Sequence, residues 1–239
     1  MIADNRNIKP EKLIGLFKKL VRLIIQILLL LILFLFIVLF IFRWVPIPSS
    51  AFMALSNKAV SYQWASWDEI SPQLAIAVIA SEDQRFPQHW GIDTIELKRA
   101  LAEKRKQKGK QRPRGASTIT QQVAKNLFLW NGRSYTRKAI EAGLAVALEL
   151  AWPKKRILEV YLNVAQFGDG IFGARSASNA FFNKPAKQLS REESALLASV
   201  LPRPAVSNIN DPSPVMLRKQ QWILKQMKQL GGLNYLKRL

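Results

Sequence analysis

The sequence predicts a mainly α-helical globular domain preceded by one membrane-spanning helix. Three observations carry that reading. An unbroken apolar run lies near the N-terminus, helix-start signals recur along the rest of the chain, and β-type alternation is scarce. Composition narrows the rest. Hydrophobic residues make up 49% of the 239, too many for a disordered chain. The absence of cysteine excludes a disulfide scaffold, a zinc-cysteine site and a cysteine nucleophile. A single histidine, His89, excludes a His-rich metal site and argues against a Ser-His-Asp triad. The net charge of +20 calls for an anionic partner: nucleic acid, anionic lipid or a phosphate-bearing substrate.

Leu23 to Phe42 is apolar throughout except for Gln26. At ~1.5 Å per residue such a run covers ~30 Å, the core of one bilayer. It is longer than the ~7–15 residues of a secretory signal, so a retained anchor over residues 23–43 is expected. Arg6, Lys9, Lys12, Lys18, Lys19 and Arg22 precede it; after Arg43 no basic residue occurs until Lys58. The positive-inside bias puts the short basic segment 1–22 in the cytoplasm and residues 44–239 outside. Trp44 suits the membrane-water boundary. The exported part keeps a net charge of +15 facing anionic headgroups, and its placement argues against nucleic acid.

The elements of that part follow in order. Ser71-Pro72 reads as an N-cap with proline at the first helical position, opening a helix to about Asp83. Asp93-Thr-Ile-Glu96 reads as a capping box for a helix to about Lys106, and Thr118-Ile-Thr-Gln121 as another for a helix to about Leu129. A longer helix runs from Tyr135 to Ala151, stopped by Trp152-Pro153. Lys154 to Asn163 is amphipathic, with Ile157, Leu158, Tyr161 and Val164 on one side. Ser190-Arg-Glu-Glu193 caps a helix ending before Pro202. Ser213-Pro214 opens the last long helix, which Gly231-Gly232 ends. Lys98 to Arg114 carries nine basic residues and one acid, and is expected to be mobile and solvated.

Four segments can carry chemistry. In Ser81-Glu-Asp-Gln-Arg-Phe86, Glu82 ends an apolar helix. The helix dipole, partial burial and Asp83 all disfavour its ionised form there, which suits a general base. Taken alone, the pair also reads as a solvated helix end, and His89 as a structural hydrogen-bonder. In Gly115-Ala-Ser-Thr-Ile-Thr-Gln-Gln-Val-Ala-Lys125, helical spacing puts Thr118, Gln121, Gln122 and Lys125 on one face, suited to sugar hydroxyls and phosphate oxygens or simply to water. Arg137 and Lys138 can each pair with Glu141, as a site or as a surface ladder. Glu159, Tyr161 and Asn163 either orient a site or belong to a plain amphipathic helix. Phe128, Leu129 and Trp130 read equally as core or as residues dipping into the membrane interface.

Together the segments carry a resemblance. Glu82-Asp83 with Phe86, His89 and Gly91, then Gly115 to Gln122, then Arg137-Lys138 with Glu141, then Lys154 with Glu159, Tyr161 and Asn163, occur in one order. That order resembles the glycosyltransferase domain of class A penicillin-binding proteins, and more closely the stand-alone, monofunctional peptidoglycan transglycosylases. Leu189-Ser-x-x-Glu-x-Ala-Leu-Leu-Ala198 and Pro202-Arg-Pro204 fit as well, so the resemblance spans about residues 60 to 205. Ala116 stands where many members have a second glycine.

The resemblance implies a lysozyme-like helical domain in the bacterial inner membrane that polymerises lipid II on the periplasmic or extracellular side. Glu82 would deprotonate the acceptor hydroxyl, and Glu141 would be the second essential carboxylate. Lys125 and Arg133 would hold the diphosphate. Asp83, Ser117, Thr118, Gln121, Gln122, Arg137 and Lys138 would contact substrate. Phe86, His89, Gly91, Gly115, Lys154, Glu159, Tyr161 and Asn163 would support the site. The partners implied are lipid II, the growing lipid-linked glycan, the membrane and other cell-wall synthesis proteins. No metal site is apparent, although a divalent cation, Mg or Mn, at the diphosphate suits the family. The sequence holds neither Ser-x-x-Lys nor Lys-Thr-Gly, so no transpeptidation is expected. The rival readings are a lytic enzyme of similar fold, a non-enzymatic anchored scaffold and a nucleic-acid binder.

Overall fold

The computed structural model describes residues 10–106, 117–132 and 134–239. Gly115, Arg133 and the basic stretch beyond Lys106 lie outside them. Helix α1 (Pro10–Ile41) contains the apolar run and begins well before it. Its segment Leu13–Ile41 is long enough to cross a bilayer and almost wholly exposed, which fits a membrane anchor.

The domain that follows is mainly α. Its helices are α2 (Ala51–Ala54), α3 (Pro72–Glu82), α4 (Thr94–Lys106), α5 (Ile119–Phe128), α6 (Tyr135–Ala151), α7 (Lys154–Val164), α8 (Ala174–Phe182), α9 (Arg191–Val200) and α10 (Pro214–Gln229). Three short strands, β1 (Ser61–Tyr62), β2 (Gln166–Gly168) and β3 (Ile171–Phe172), form a sheet ordered β1-β3-β2, with β1 parallel and β2 antiparallel to β3.

The caps read from the sequence are made. Ser71 Oγ accepts from Gln73 N at the start of α3, and reciprocal capping boxes open α5 and α9. Only half of the box expected at α4 forms. Asp93 Oδ1 accepts from Ile95 N and Glu96 N, while Glu96 bonds Arg99 instead. The sequence reading passed over α8, whose buried face is Ala174, Ser176, Ala177 and Ser178. Small residues give little hydrophobic periodicity. The start of α8 is set by Gly173 at φ 81°, where a Cβ would meet Asn163 O at 2.6 Å.

Leu74 to Ala80 of α3 are buried on every side, so α3 is the central helix rather than an amphipathic surface one. It packs on α9 and α10, while α5 packs on α6 and α7. The end of α1 is docked into this core. Leu39 is buried, and Trp152 Nε1 donates to its carbonyl at 2.6 Å. Arg156 donates to Phe42 O at 2.8 Å and Val45 O at 2.6 Å, beneath the Trp64 ring. These bonds satisfy carbonyls that the last turn of a helix otherwise leaves open.

Candidate active site

The C-terminal end of α3 delivers two adjacent carboxylates into different surroundings. Asp83 is buried. Both of its oxygens lie on His89 Nε2, at 3.0 and 3.1 Å, and Oδ2 also accepts from Ile119 N at 3.0 Å. It therefore ties the end of α3 to the start of α5. Glu82 is only half-buried. Its Oε2 accepts from Gln122 Nε2 at 3.0 Å, while Oε1 has only the Ser81 hydroxyl at 3.4 Å, which also bonds Val78 O.

Helix α5 shapes the next wall. Thr118 is its N-cap and so stands before the helical face on which its spacing had placed it. Its Oγ1 accepts from Gln121 N and donates to Gly91 O at 2.5 Å, and Gln121 Oε1 accepts from Thr118 N at 3.1 Å. Gly91 sits at φ 76°, with a virtual Cβ 3.0 Å from Ala145 O, so a larger residue there would disturb α6. Gln122 points the other way, bridging Glu82 and Tyr161, whose hydroxyl donates to Gln122 Oε1 at 3.0 Å. Burial, with the charges of Glu82 and Asp83, holds the Tyr161 hydroxyl well above the usual tyrosine range.

Lys125, one turn further on, makes no hydrogen bond or ion pair with a described residue. Its Nζ lies 5.0 Å from the centre of the Phe52 ring. Burial pushes its ammonium below the usual lysine range. Glu141 and Glu82 oppose that shift, while Arg137 and Lys138 add to it. On α6 the expected pairs form around a buried Glu141 and Arg137, with Lys138 partly exposed. Glu141 takes Arg137 Nη1 at 2.8 Å on one oxygen and Lys138 Nζ on the other. Arg137 Nε donates to Gly132 O, and Lys138 Nζ reaches Ser117 Oγ at 2.9 Å.

The remaining segment supports the wall. Glu159 accepts from Trp67 N and Arg156, and Asn163 pairs with both backbone groups of Ala65 at 2.8 Å. Lys154 Nζ lies over the buried Phe86 ring and bonds Glu149, which also holds Thr120. Burial lowers the Lys154 pKa, opposed by Glu149 and Asp83. Of the apolar trio, Leu129 is core, Phe128 is half-buried and Trp130 is 51% exposed.

Asp83, His89 and Asp93 offer ligand atoms within 4.8 Å of one another, the only such group among the described residues. They do not fit a cation site. Asp83 is spent on His89 and Ile119 N, and Asp93 on Arg85 and two backbone amides. A metal would have to displace those donors. Only His89 Nδ1 is left without a partner, and it is buried.

Sequence reasoning missed three residues. Phe52 and Glu149 carry no local signal. Lys219 does: it follows Met216 and precedes Ile223 at helical spacing on the buried stripe of α10. Burial lowers its pKa, and the charge of Glu82 opposes that shift.

The family model described as Transglycosylase matches residues 50–228. A protein of Citrobacter koseri named biosynthetic peptidoglycan transglycosylase is 49% identical over 227 residues, covering 91% of this chain and 93% of its own. Relatives of that name from Pectobacterium carotovorum and Mannheimia succiniciproducens are 47% and 52% identical, covering 93% and 83% of this chain and 95% and 84% of their own. With the α3–α5 site inside the matched region, the chain belongs to the transglycosylase family, whose domain is a lysozyme-like helical fold.

Proposed function

We propose that this chain is a peptidoglycan glycosyltransferase that polymerises lipid II into β-1,4-linked glycan. The observation that carries this is a carboxylate, Glu82, with one oxygen held by Gln122 and the other only weakly by Ser81, near a desolvated cation, Lys125, that makes no ion pair with a described residue. The donor is the growing glycan on its undecaprenyl diphosphate; the acceptor is a sugar hydroxyl of lipid II. Glu82 Oε1 takes the hydroxyl proton as the oxygen attacks the anomeric carbon. The new C–O bond forms as the C–O bond to phosphate breaks, and the electron pair leaves on the diphosphate with inversion. Charge develops on that leaving group, so a preorganised Lys125 stabilises the transition state, with Arg133 as its proposed neighbour.

Glu141 pairs with and orients both Arg137 and Lys138, leaving the trio net positive, and Lys138 holds Ser117 at the entrance of α5. Ser117, Gln122, Arg137 and Lys138 are the proposed substrate contacts. Asp83, Thr118 and Gln121 contribute by fixing the wall, since most of their bonding capacity is spent inside it.

The membrane reading rests on the apolar length of α1 and the basic residues that precede it. The N-terminus is cytoplasmic, the domain lies outside, and α1 is docked to it. Trp130 and, on α6, Ile140, Val146 and Leu150 are exposed apolar residues that we assign to the membrane interface, as a lipid-linked substrate requires. No transpeptidation is proposed.

Purified protein incubated with lipid II tests the function. Glycan polymer on a gel, with release of undecaprenyl diphosphate, is the expected result. Soluble muropeptides released from sacculi, with no polymer from lipid II, would replace it with the lytic reading.

A further inference from the structure

Gln122 is the one side chain that touches both Glu82 and the buried interior of α7 among the described hydrogen bonds. A carboxamide has two unlike ends, and which end faces Glu82 matters. An ionised carboxylate only accepts, so its partner must donate. Turned the other way, Gln122 would set its oxygen against a carboxylate oxygen at 3.0 Å.

The other end of the carboxamide enforces the same orientation independently of Glu82. Tyr161 is 1% exposed, and its hydroxyl bonds to no other described residue. Leaving a buried hydroxyl proton without an acceptor is costly, at ~1–3 kcal/mol. The hydroxyl keeps its proton, because burial and two neighbouring carboxylates oppose its ionisation. It therefore donates, Gln122 Oε1 accepts, and the amide N–H is left for Glu82.

Resting on the assignment of Glu82 as base, we infer that Tyr161 is a positioning residue that fixes the orientation of Gln122, and that Gln122 thereby reserves Glu82 Oε2 and leaves Oε1 as the oxygen that takes the acceptor proton. When the proton arrives on Oε1, Oε2 becomes a carbonyl-type acceptor and the Gln122 N–H bond persists. Nothing in the Tyr161–Gln122–Glu82 chain has to turn over during the step. Preorganisation of this kind lowers the barrier without changing how tightly the substrate is held.

The test is a double-mutant cycle with lipid II. Tyr161→Phe keeps the ring and removes only the hydroxyl. It is expected to lower kcat roughly ten- to a hundredfold, the scale for a group held ~1 Å out of place, with KM within about twofold. Gln122→Ala should show a similar loss, and the double variant should be no slower than Gln122→Ala alone. If the two losses multiply, or if Tyr161→Phe turns over at the wild-type rate, the proposal is overturned. Gln122→Glu keeps an acceptor for Tyr161 but replaces the donor facing Glu82. It should be at least as slow as Gln122→Ala, and wild-type turnover would overturn the proposal even if Tyr161→Phe failed to fold. Glu82→Gln in parallel separates the two levels. An active Glu82→Gln protein removes the base assignment itself, whereas an inactive one beside a fully active Tyr161→Phe removes only the positioning role.

Discussion

The two ends of α5 use similar polar residues for opposite purposes. At its N-terminal end, Thr118, Gln121, Asp83 and His89 bond one another and the backbone into a closed network. On its outer side, Gln122 spans to Glu82, and Lys125 lies over an aromatic ring with no hydrogen bond to a described residue. Gln121 and Gln122 are neighbours in sequence, yet they lie about 100° apart around the helix. One locks the helix start and the other reaches Glu82, the proposed base. Glu82 and Asp83 repeat the contrast at the end of α3. Residue type and proximity alone do not separate the two; what differs is how much hydrogen-bonding capacity each has spent on described residues.

The largest effect expected from this contrast is on Glu82. Glu82→Gln should lower polymerisation by ~10²–10⁴, the usual value of a general base. Its thermal midpoint should stay close to wild type, because Glu82 receives one Gln122 bond and a weak Ser81 contact. A variant that polymerises lipid II at near-wild-type rate would remove Glu82 from the chemistry.

Lys125 comes next. Lys125→Ala should cost roughly 10²–10³ in kcat, the scale of losing one preorganised charge at a leaving group. The pH profile adds a sign. Burial lowers the Lys125 pKa, so the cation is lost as pH rises through a value below the ordinary lysine range. Activity should fall on the alkaline side there. Lys125→Arg, which stays charged, should move that fall to higher pH even if its maximum rate is lower. An alkaline limb unchanged in Lys125→Arg would show that another group sets it.

Asp83 should break in the other currency. Asp83→Asn places an amide against Ile119 N, which needs an acceptor, or against His89 Nε2, which could accept it only by shifting its proton to the buried, unpartnered Nδ1. A loss of ~1–3 kcal/mol in stability is expected from the unsatisfied buried donor. Thermal melts beside Glu82→Gln make the comparison directly. A midpoint unchanged in Asp83→Asn would show that the network at the start of α5 is not what holds α3 to α5.

Most of the fold was legible because helix ends are written in short-range chemistry. Ser71-Pro72, Thr118 with Gln121 and Ser190 with Glu193 cap the helices they were read as starting. Helix α8 was not legible, since Ala and Ser fill its buried side and a glycine starts it. The three strands were not either: each is two or three residues long, too short for alternation to register. In the site, the motif residues come together, but sequence spacing cannot report hydrogen-bond saturation. It therefore grouped Thr118 and Gln121 with Gln122 and Lys125. The Phe52 ring under Lys125 and Lys219 near Glu82 come from distant segments, and only tertiary packing brings them in.

The smallest effect sharpens the contrast within α5 itself. Thr118 accepts from Gln121 N as an N-cap and donates to Gly91 O, so its hydroxyl is occupied in both directions. Thr118→Ala removes the cap, typically worth ~1 kcal/mol. In a protein of this size that lowers the midpoint by about 2–4 °C. Thr118→Ser keeps the hydroxyl and should recover most of the loss. KM for lipid II should change little in either variant, because the hydroxyl's proton is committed to Gly91 and the side chain is buried. The opposite pattern, a many-fold rise in KM for Thr118→Ala with an unchanged midpoint, would mean that the hydroxyl turns out of the cap to meet substrate. The closed end of α5 would then have to be counted as part of the binding surface.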